Sequence, residues 1–272
     1  MLNMVDDLRQ ISLYLGTMGF SYKDWDDVFY PAGLDSKEYL NYYSRIFNSV
    51  EIDSTFYGTP KKSTIQRWIN ETPNGFRFSL KVPRIITHDQ GLTNAWGLMA
   101  EFLDVIQGLG DQLGVILFQF PPSFTSVHFN RLVDFLPKLP VGLRYAIEVR
   151  DQSWYTEEDK LIDLLSNYRA AWAATQYPNL PAIIHPSSDF IYIRWIGQHG
   201  SFKRHNRERI DRLQDLEHWW EYIETFKGYK SDLYGYFNND YAGFAAGTAL
   251  KFKTLVGQPV DLPPRPKQTR LF

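Results

Sequence analysis

Apolar and polar positions alternate with a period of two along eight short stretches of the chain, and with a helical period between them. The β-branched and aromatic runs fall at residues 11–16, 49–55, 77–82, 115–120, 144–150, 171–176, 190–196 and 233–240, and predict strands. Residues 38–47 place Tyr39, Leu40, Tyr43, Ile46 and Phe47 on one helical face. Leu98, Phe102, Val105, Ile106 and Leu109 repeat that spacing, as do Leu132, Phe135, Leu136 and Leu139. Leu161, Leu164, Leu165 and Tyr168 make a further stripe, Ile210, Leu213, Leu216, Trp220 and Ile223 a longer one, and Ala245, Ala246, Ala249 and Phe252 the last. Asp35 with Glu38 reads as a capping box, and Thr59 before Pro60 as an N-cap with proline at the first helical position. Residues 177–189 carry Pro178, Pro181 and Pro186, which argue against a full helix there.

Strands that alternate with helices are joined by right-handed crossovers and lie parallel. Eight of them predict a TIM-type (β/α)8 barrel, a single domain over residues 1–256 with an irregular sixth crossover. Residues 257–272 change character: PVDLPPRPKQTRLF is proline-rich and basic, and predicts an extended tail. Composition then narrows the function classes. The 272 residues carry 29 Lys and Arg against 31 Asp and Glu, so no global field recruits a polyanion. Cysteine is absent, which excludes disulfides, thiolate metal sites and a cysteine nucleophile. No apolar run approaches the roughly 20 residues of a membrane span. The opening MLNMVDDLRQ carries Asp6 and Asp7 and no apolar core of a signal peptide. A cytoplasmic protein with no membrane partner is the expectation.

Eight phrases occur in order along the chain: GTMGFSYKDW (16–25), FYP (29–31), FNSVEIDSTFYGTP (47–60), FRFSLKVPRIITHD (76–89), LGVILFQFPPSF (113–124), AIEVRDQSW (146–154), YIRW (192–195) and YFNND (236–240). Together they resemble the bacterial and archaeal family called domain of unknown function 72, or YecE-like, over roughly residues 12–256. The resemblance implies a TIM-type barrel and assigns no activity. YIRWIGQ departs from a Tyr-x-Arg-x-His-Gly form of that family, so no histidine directly follows this strand.

In such a barrel the site lies at the carboxyl ends of the strands. Period-two alternation places Glu51 and Asp53 on one face of their strand and Glu148 and Arg150 on one face of another, with Val50, Ile52, Ile147 and Val149 opposite. Lys81 and Gln119 end their strands, Tyr192 and Arg194 share a face, and Asn238 and Asn239 end the last strand. Charged residues are almost never fully buried unless paired. Two arrangements satisfy that rule: a ligand-facing polar cup, or an ion-pair plug with Glu51–Lys81 and Glu148–Arg194 as its pairs. In the cup, Glu51, Asp53 and Glu148 are candidates for acid/base or nucleophile work of the glycosidase kind, or for holding a metal together with His88. Lys81 and Arg194 would stabilise an anionic group. His88 is a candidate general acid/base. Tyr22, Trp25, Phe56, Tyr57 and Trp154 fall in loops after strands and are candidates for stacking on a sugar or base. The candidate site is therefore Glu51, Asp53, Lys81, His88 and Glu148 for chemistry. Tyr22, Trp25, Tyr57, Gln119, Arg150, Trp154, Tyr192, Arg194, Asn238 and Asn239 would bind the ligand.

The chain has no HExxH, P-loop, GxGxxG or GxSxG, so zinc-protease, nucleotide-triphosphate, dinucleotide and α/β-hydrolase readings lack support, and the cofactor stays unassigned. His128, His185 and His218 read as structural. The reading favoured is an enzyme that takes a polar or anionic, sugar- or nucleotide-like ligand, with hydrolysis of a glycosidic or phosphoester bond as its chemistry. The alternative is a non-catalytic or DNA-repair-associated module, for which SFKRHNRER (201–209) supplies cationic residues. Gln268, Leu271 and Phe272 resemble the bacterial sliding-clamp-binding pentapeptide and make the clamp a candidate partner.

Overall fold

The strands form where one side chain in two must face a helix and its neighbour must face the molecule's interior. The computed structural model describes residues 11–260. Its strands are β1 (Ser12–Thr17), β2 (Ser49–Ile52), β3 (Arg77–Lys81), β4 (Leu113–Gln119), β5 (Arg144–Glu148), β6 (Ala171–Trp172), β7 (Ala174–Gln176), β8 (Phe190–Trp195) and β9 (Asp232–Phe237). The helices are α1 (Tyr39–Tyr43), α2 (Lys62–Glu71), α3 (Trp96–Ile106), α4 (Phe129–Phe135), α5 (Ser153–Thr156), α6 (Glu158–Asn167), α7 (Leu213–Glu224), α8 (Asn239–Ala242) and α9 (Ala245–Leu255). They build one α/β domain with two parallel sheets, ordered β1-β9-β8-β7 and β2-β3-β4-β5-β6.

The stretch expected as one strand at 171–176 is divided. β6 pairs with β5 and β7 with β8, so a single residue, Ala173, separates the two sheets along the chain. At the other junction, Met18 bridges Glu51 in parallel fashion, and the Gly19 amide donates to the Glu51 carbonyl at 2.7 Å. Gly16 permits that approach, because a Cβ there would lie 2.0 Å from the Ser49 carbonyl oxygen.

Two apolar clusters follow from the alternation. Val50 and Ile52, Phe78 and Leu80, Ile147 and Val149, and Ile191 and Ile193 join the large cluster beneath the helices. The opposite faces contribute Val115, Leu117, Ala146, Phe190, Tyr192, Tyr234 and Tyr236 to a second cluster, together with Met18. Strands buried on both faces are the rule when helices cover a parallel sheet. Within the second cluster the Tyr236 hydroxyl lies 2.6 Å from Ser49 Oγ and 2.8 Å from Ser79 Oγ, so its polar atom is satisfied.

Several boundaries differ from the sequence reading. β2 ends at Ile52, and Asp53–Tyr57 is a 3-10 turn tied by Thr55 Oγ1 to the carbonyls of Ile52 and Lys81. Asp35 caps a 3-10 turn, Ser36–Glu38, accepting the Lys37 amide at 2.9 Å, while the five-residue α1 that follows has Glu38 at its N-cap. Thr59 does not cap α2, whose N-cap is Lys61. In α7 the buried face is Leu216, Trp219 and Ile223, while Leu213 stays exposed. Residues 177–189 hold no helix, as their prolines predict. The clamp-like residues Gln268, Leu271 and Phe272 lie outside the described residues.

Candidate functional site

Arg194, near the end of β8, sits between two glutamates that come from different strands. Its Nη2 donates to Glu51 Oε1 at 2.6 Å and its Nε to Glu51 Oε2 at 3.0 Å, a fork-on-carboxylate contact. Its Nη1 donates to Glu148 Oε2 at 2.5 Å. The Tyr192 hydroxyl donates to Glu51 Oε2 at 2.6 Å, and Arg150 Nε donates to Glu148 Oε1. Glu51 and Glu148 are 0% exposed and Arg194 is 3% exposed. Of the two expected couples, Glu148–Arg194 forms and Glu51–Lys81 does not: one guanidinium serves both glutamates, and Lys81 instead faces Asp53 at 3.9 Å.

The two glutamates experience different fields. Burial pushes the Glu51 carboxyl up from its ordinary value, against the pull of Arg194 and with a push from Asp53. Burial also acts on Glu148, but Arg150 and Arg194 outweigh it and hold that carboxyl at about 2. Opposed shifts in neighbouring carboxyls are the usual mark of an acid–base division. Here, however, neither glutamate reaches open space. Their oxygens are taken by Arg194, Arg150 and Tyr192, so they hold the arginines in place.

Above them opens a cleft of about 400 Å³, lined by Met18, Asp53, Phe56, Tyr57, Lys81, Arg150, Tyr177, Arg194, Ile196, His199 and Asn238. Three cations and one carboxylate face it. Asp53 Oδ1 has no hydrogen-bond partner, with Arg194 Nη2 at 3.6 Å and Lys81 Nζ at 3.9 Å. Lys81 Nζ lies 4.3 Å above the Phe56 ring, and the Arg150 guanidinium 4.2 Å from the Tyr177 ring. Burial lowers the Lys81 ammonium from its ordinary value, and Arg194 adds to that. A larger cleft, about 510 Å³, opens at the amino-terminal end of β5, and of the charged residues only Arg144, Arg169 and Asp189 line it. Size alone thus points away from the charge cluster.

Of the residues expected at the site, Asp53, Lys81, Arg150, Arg194, Tyr57 and Asn238 share the cleft. Glu51, Glu148 and Tyr192 lie directly behind it. His88 stands beside it, edge-on to Phe56 with ring centroids 4.8 Å apart, its Nδ1 2.9 Å from Thr87 Oγ1. Burial, then Lys81 and Arg84, lower His88 to about 4, so it is neutral near pH 7. The others are packing residues. Trp25 is buried, with Tyr22 tilted against it and Phe29 and Phe244 edge-on, and its indole N–H donates to Asn239 Oδ1 at 3.1 Å. Asn239 Oδ1 also accepts the Ala245 amide, so this side chain ties the loop after β1 to the start of α9. Tyr22 donates to the Met18 carbonyl. Trp154 is buried against Phe124 and donates to its carbonyl at 2.6 Å. Gln119 is buried and donates to the Phe120 carbonyl at 2.6 Å. Trp25 and Trp154 therefore offer no ring face to a ligand, because α9 and the Phe124 turn cover them.

Sequence reasoning missed Met18, Tyr177 and Ile196. Tyr177 carried a usable signal, since it directly follows a predicted strand. Met18 did not: its sulfur lies 3.5 Å from Arg194 Nη2 and 3.4 Å from Asn238 Nδ2, contacts that arise only when β1 meets β8 and β9. His199 belongs to an irregular segment with the basic residues 203–209. That segment is pinned by the His205 amide to Asp24 at 2.8 Å and by the Gly200 amide to Asp240 at 2.9 Å. Lys203, Arg204, Arg207 and Arg209 on it are exposed. Among the described residues no group of three or more His, Asp or Glu side chains is placed to hold a metal ion, and no helix is long and apolar enough to cross a membrane.

The comparisons with known proteins agree on one family. Residues 14–270 match the family described as protein of unknown function DUF72. The chain is 31% identical over 148 residues to the UPF0759 protein YecE of Escherichia coli K12, a match covering 54% of this chain and about half, 52%, of that relative. It is 24% identical over 269 residues to the UPF0759 protein YunF of Bacillus subtilis, covering 90% of this chain and 94% of YunF. Among solved structures, a DUF72 family protein of Thermotoga maritima superposes with a TM-score of 0.77 at 27% identity, over 91% of this chain and all (100%) of that one. A DUF72 family protein of Enterococcus faecalis gives 0.74 at 20% identity over 92% of this chain and 100% of its own, a likeness of fold. With its ordered motifs, its parallel sheets and a match that runs nearly end to end, this chain belongs to the DUF72 family.

Proposed function

We propose that the chain is an enzyme whose cleft binds an anionic, sugar- or nucleotide-like ligand, with Asp53 transferring protons. The reading rests on one observation: Lys81, Arg150 and Arg194 converge with Asp53 on a single cleft, and Asp53 Oδ1 there lacks a hydrogen-bond partner. Preorganised cations in a partly water-excluded site favour an anion without reorganisation. Behind them, Glu51 and Glu148 fix the arginines, so the forks keep their direction when the cleft is empty. Hydrolysis takes the form in which a water gives its proton to Asp53. A glycosidase pair of Glu51 and Glu148 is not favoured, because neither carboxylate reaches the cleft.

The two sheets are, in this reading, halves of one (β/α)8 barrel, with 171–176 as a single strand position shared by both and the Met18–Glu51 bridge as the other seam. That closure puts the cleft at the carboxyl ends of the strands, where barrel enzymes keep their chemistry. The nucleic-acid reading loses Trp25 and Trp154 as stacking platforms, since both are buried, and keeps Phe56 and Tyr57 at the cleft.

Calorimetric titration with inorganic phosphate at low salt tests the proposal. Saturable binding is expected, weakened about ten-fold in Arg150→Gln, the cost of one charge-assisted hydrogen bond. Absence of any saturable binding by phosphate or by a sugar phosphate would sink it.

A further inference from the structure

Lys81 is the residue whose surroundings the anion-binding reading leaves least explained. A cation that only neutralises a ligand gains from counter-ions that hydrogen-bond it, and Lys81 has none so close. Its Nζ makes no hydrogen bond among the described residues. Its nearest carboxylate oxygen, Asp53 Oδ1, is 3.9 Å away, and the Phe56 ring lies beneath it at 4.3 Å. The side chain is only 12% exposed, and that exposure is toward the cleft. A largely buried lysine over an aromatic ring, near another cation and beside an acid–base group, is a setting in which an amine works as a nucleophile.

We propose that Lys81 forms an imine with an aldehyde or ketone that also carries a phosphate or carboxylate, and that Asp53 relays the protons of that step. This rests on the anion-binding reading and names the reacting group of its ligand. Arg150 and Arg194 hold the anionic group, which leaves the carbonyl carbon beside Nζ. The neutral amine adds to that carbon, so a C–N bond forms and the π pair of the carbonyl moves to oxygen. The two amine protons then pass to that oxygen, Asp53 carrying them one at a time. The C–O bond breaks and the oxygen leaves as water, with the imine remaining. No oxidant or reductant is consumed.

Burial and the charged groups that face Lys81 leave its ammonium, on balance, easier to deprotonate than an ordinary lysine. Burial lowers it, Arg194 lowers it further, and Asp53, Glu148 and Glu51 oppose them from β2, its following turn and β5. His88, on the turn after β3, is itself pushed toward its neutral form. Lys230 is the internal comparison. It too is lowered by burial, against the pull of Asp189, but its Nζ donates to the Ser188 carbonyl and it does not line the cleft that holds Arg150 and Arg194.

The test uses the full-length protein, glycolaldehyde phosphate as probe, and cyanoborohydride to reduce any imine to a stable secondary amine, with adducts mapped by peptide mass spectrometry. Lys81 is expected to be labelled about ten-fold or more faster than the exposed Lys37 and Lys61, through the local concentration that the arginines provide. Inorganic phosphate should compete with that labelling, and uncharged glycolaldehyde should lose the preference. Asp53→Asn should slow labelling at Lys81 while phosphate binding persists. If phosphate binds but Lys81 is labelled no faster than Lys37, or Lys230 is labelled as fast as Lys81, the imine role is overturned and the anion-binding reading stands. If phosphate does not bind and no adduct forms, both fall.

Discussion

Arginines meet carboxylates at both ends of the strands, and the two ends are built differently. At the carboxyl end, Arg194 is nearly inaccessible and shared by two fully buried glutamates. At the amino end, Arg144 of β5 donates to Asp232 and, at 2.6 Å, to the Tyr234 hydroxyl, and its side chain is 36% exposed. Its guanidinium also lies 5.5 Å from the Phe190 ring and 5.6 Å from the Tyr234 ring. Water reaches Arg144 but hardly its partners, so the amino-end pair is screened more than the carboxyl-end cluster and less than an open surface pair. The carboxyl-end cluster is desolvated, so each member depends on the others, and such a cost is retained where orientation matters. The amino end has the larger cleft and the carboxyl end has the charges.

The sharpest way to break this comparison is to remove each arginine in turn. Arg194→Met strands two buried carboxylates and should cost about 3–5 kcal/mol in urea unfolding. Arg144→Met should cost less, about 1–3 kcal/mol, because Asp232 keeps Ser231 as a donor. Equal losses would mean that the two ends are not different in kind.

Acid unfolding sharpens it next. The Glu148 carboxyl sits at about 2 in the folded protein against an ordinary 4.5. A depressed folded value contributes stability above pH 4.5 that is lost as pH falls through the folded value. That contribution is on the order of 3 kcal/mol, and Glu148→Gln should flatten the stability curve between about pH 4.5 and 2. Glu51 is shifted upward, which has the opposite sign: its ionisation costs stability as pH rises above the ordinary value. Glu51→Gln should therefore leave the acid limb in place, and a flattened limb in that variant would reverse the assignment.

A smaller effect is expected of Tyr192→Phe, which removes one O–H donor from the buried Glu51 carboxylate. A loss of about 1.5–3 kcal/mol follows for a hydrogen bond to a charged acceptor. No loss would show that Arg194 alone satisfies Glu51. The smallest change concerns His88. Its ring should titrate in NMR at about 4, so phosphate affinity should be flat across the neutral range as far as this residue is concerned. A midpoint near the ordinary 6.5 would mean that the carboxyl end is less cationic and wetter than its geometry implies.

Strand positions and the facing of side chains were legible because both depend on the period of two. Glu51, Lys81, Glu148 and Arg194 were correctly gathered on one side of their strands by alternation alone. Their pairing was legible only in part: Glu148–Arg194 forms as expected, but Glu51 also takes Arg194 and Lys81 faces Asp53. Which cation meets which carboxylate depends on how β2, β5 and β8 are staggered across the interior, and no local pattern encodes that. The aromatic rings of the loops failed for a related reason. Trp25 and Tyr57 both follow strand ends, yet Trp25 is covered by Phe244 while Tyr57 is 87% exposed. Chain neighbours cannot distinguish them, because the covering residue is more than two hundred positions away.

By itself, then, the sequence determined the alternating parallel α/β plan, the absence of thiol chemistry, the family through its ordered motifs, and the end of the strands where charge gathers. Only the tertiary structure decided that Glu51 and Glu148 serve Arg194, that Asp53 is the carboxylate left facing the cleft, and that Lys81 stands apart over Phe56. Period and composition act within one strand or helix. Desolvation and ion pairing act between strands distant in the chain, and become defined only when the sheets bring those strands together.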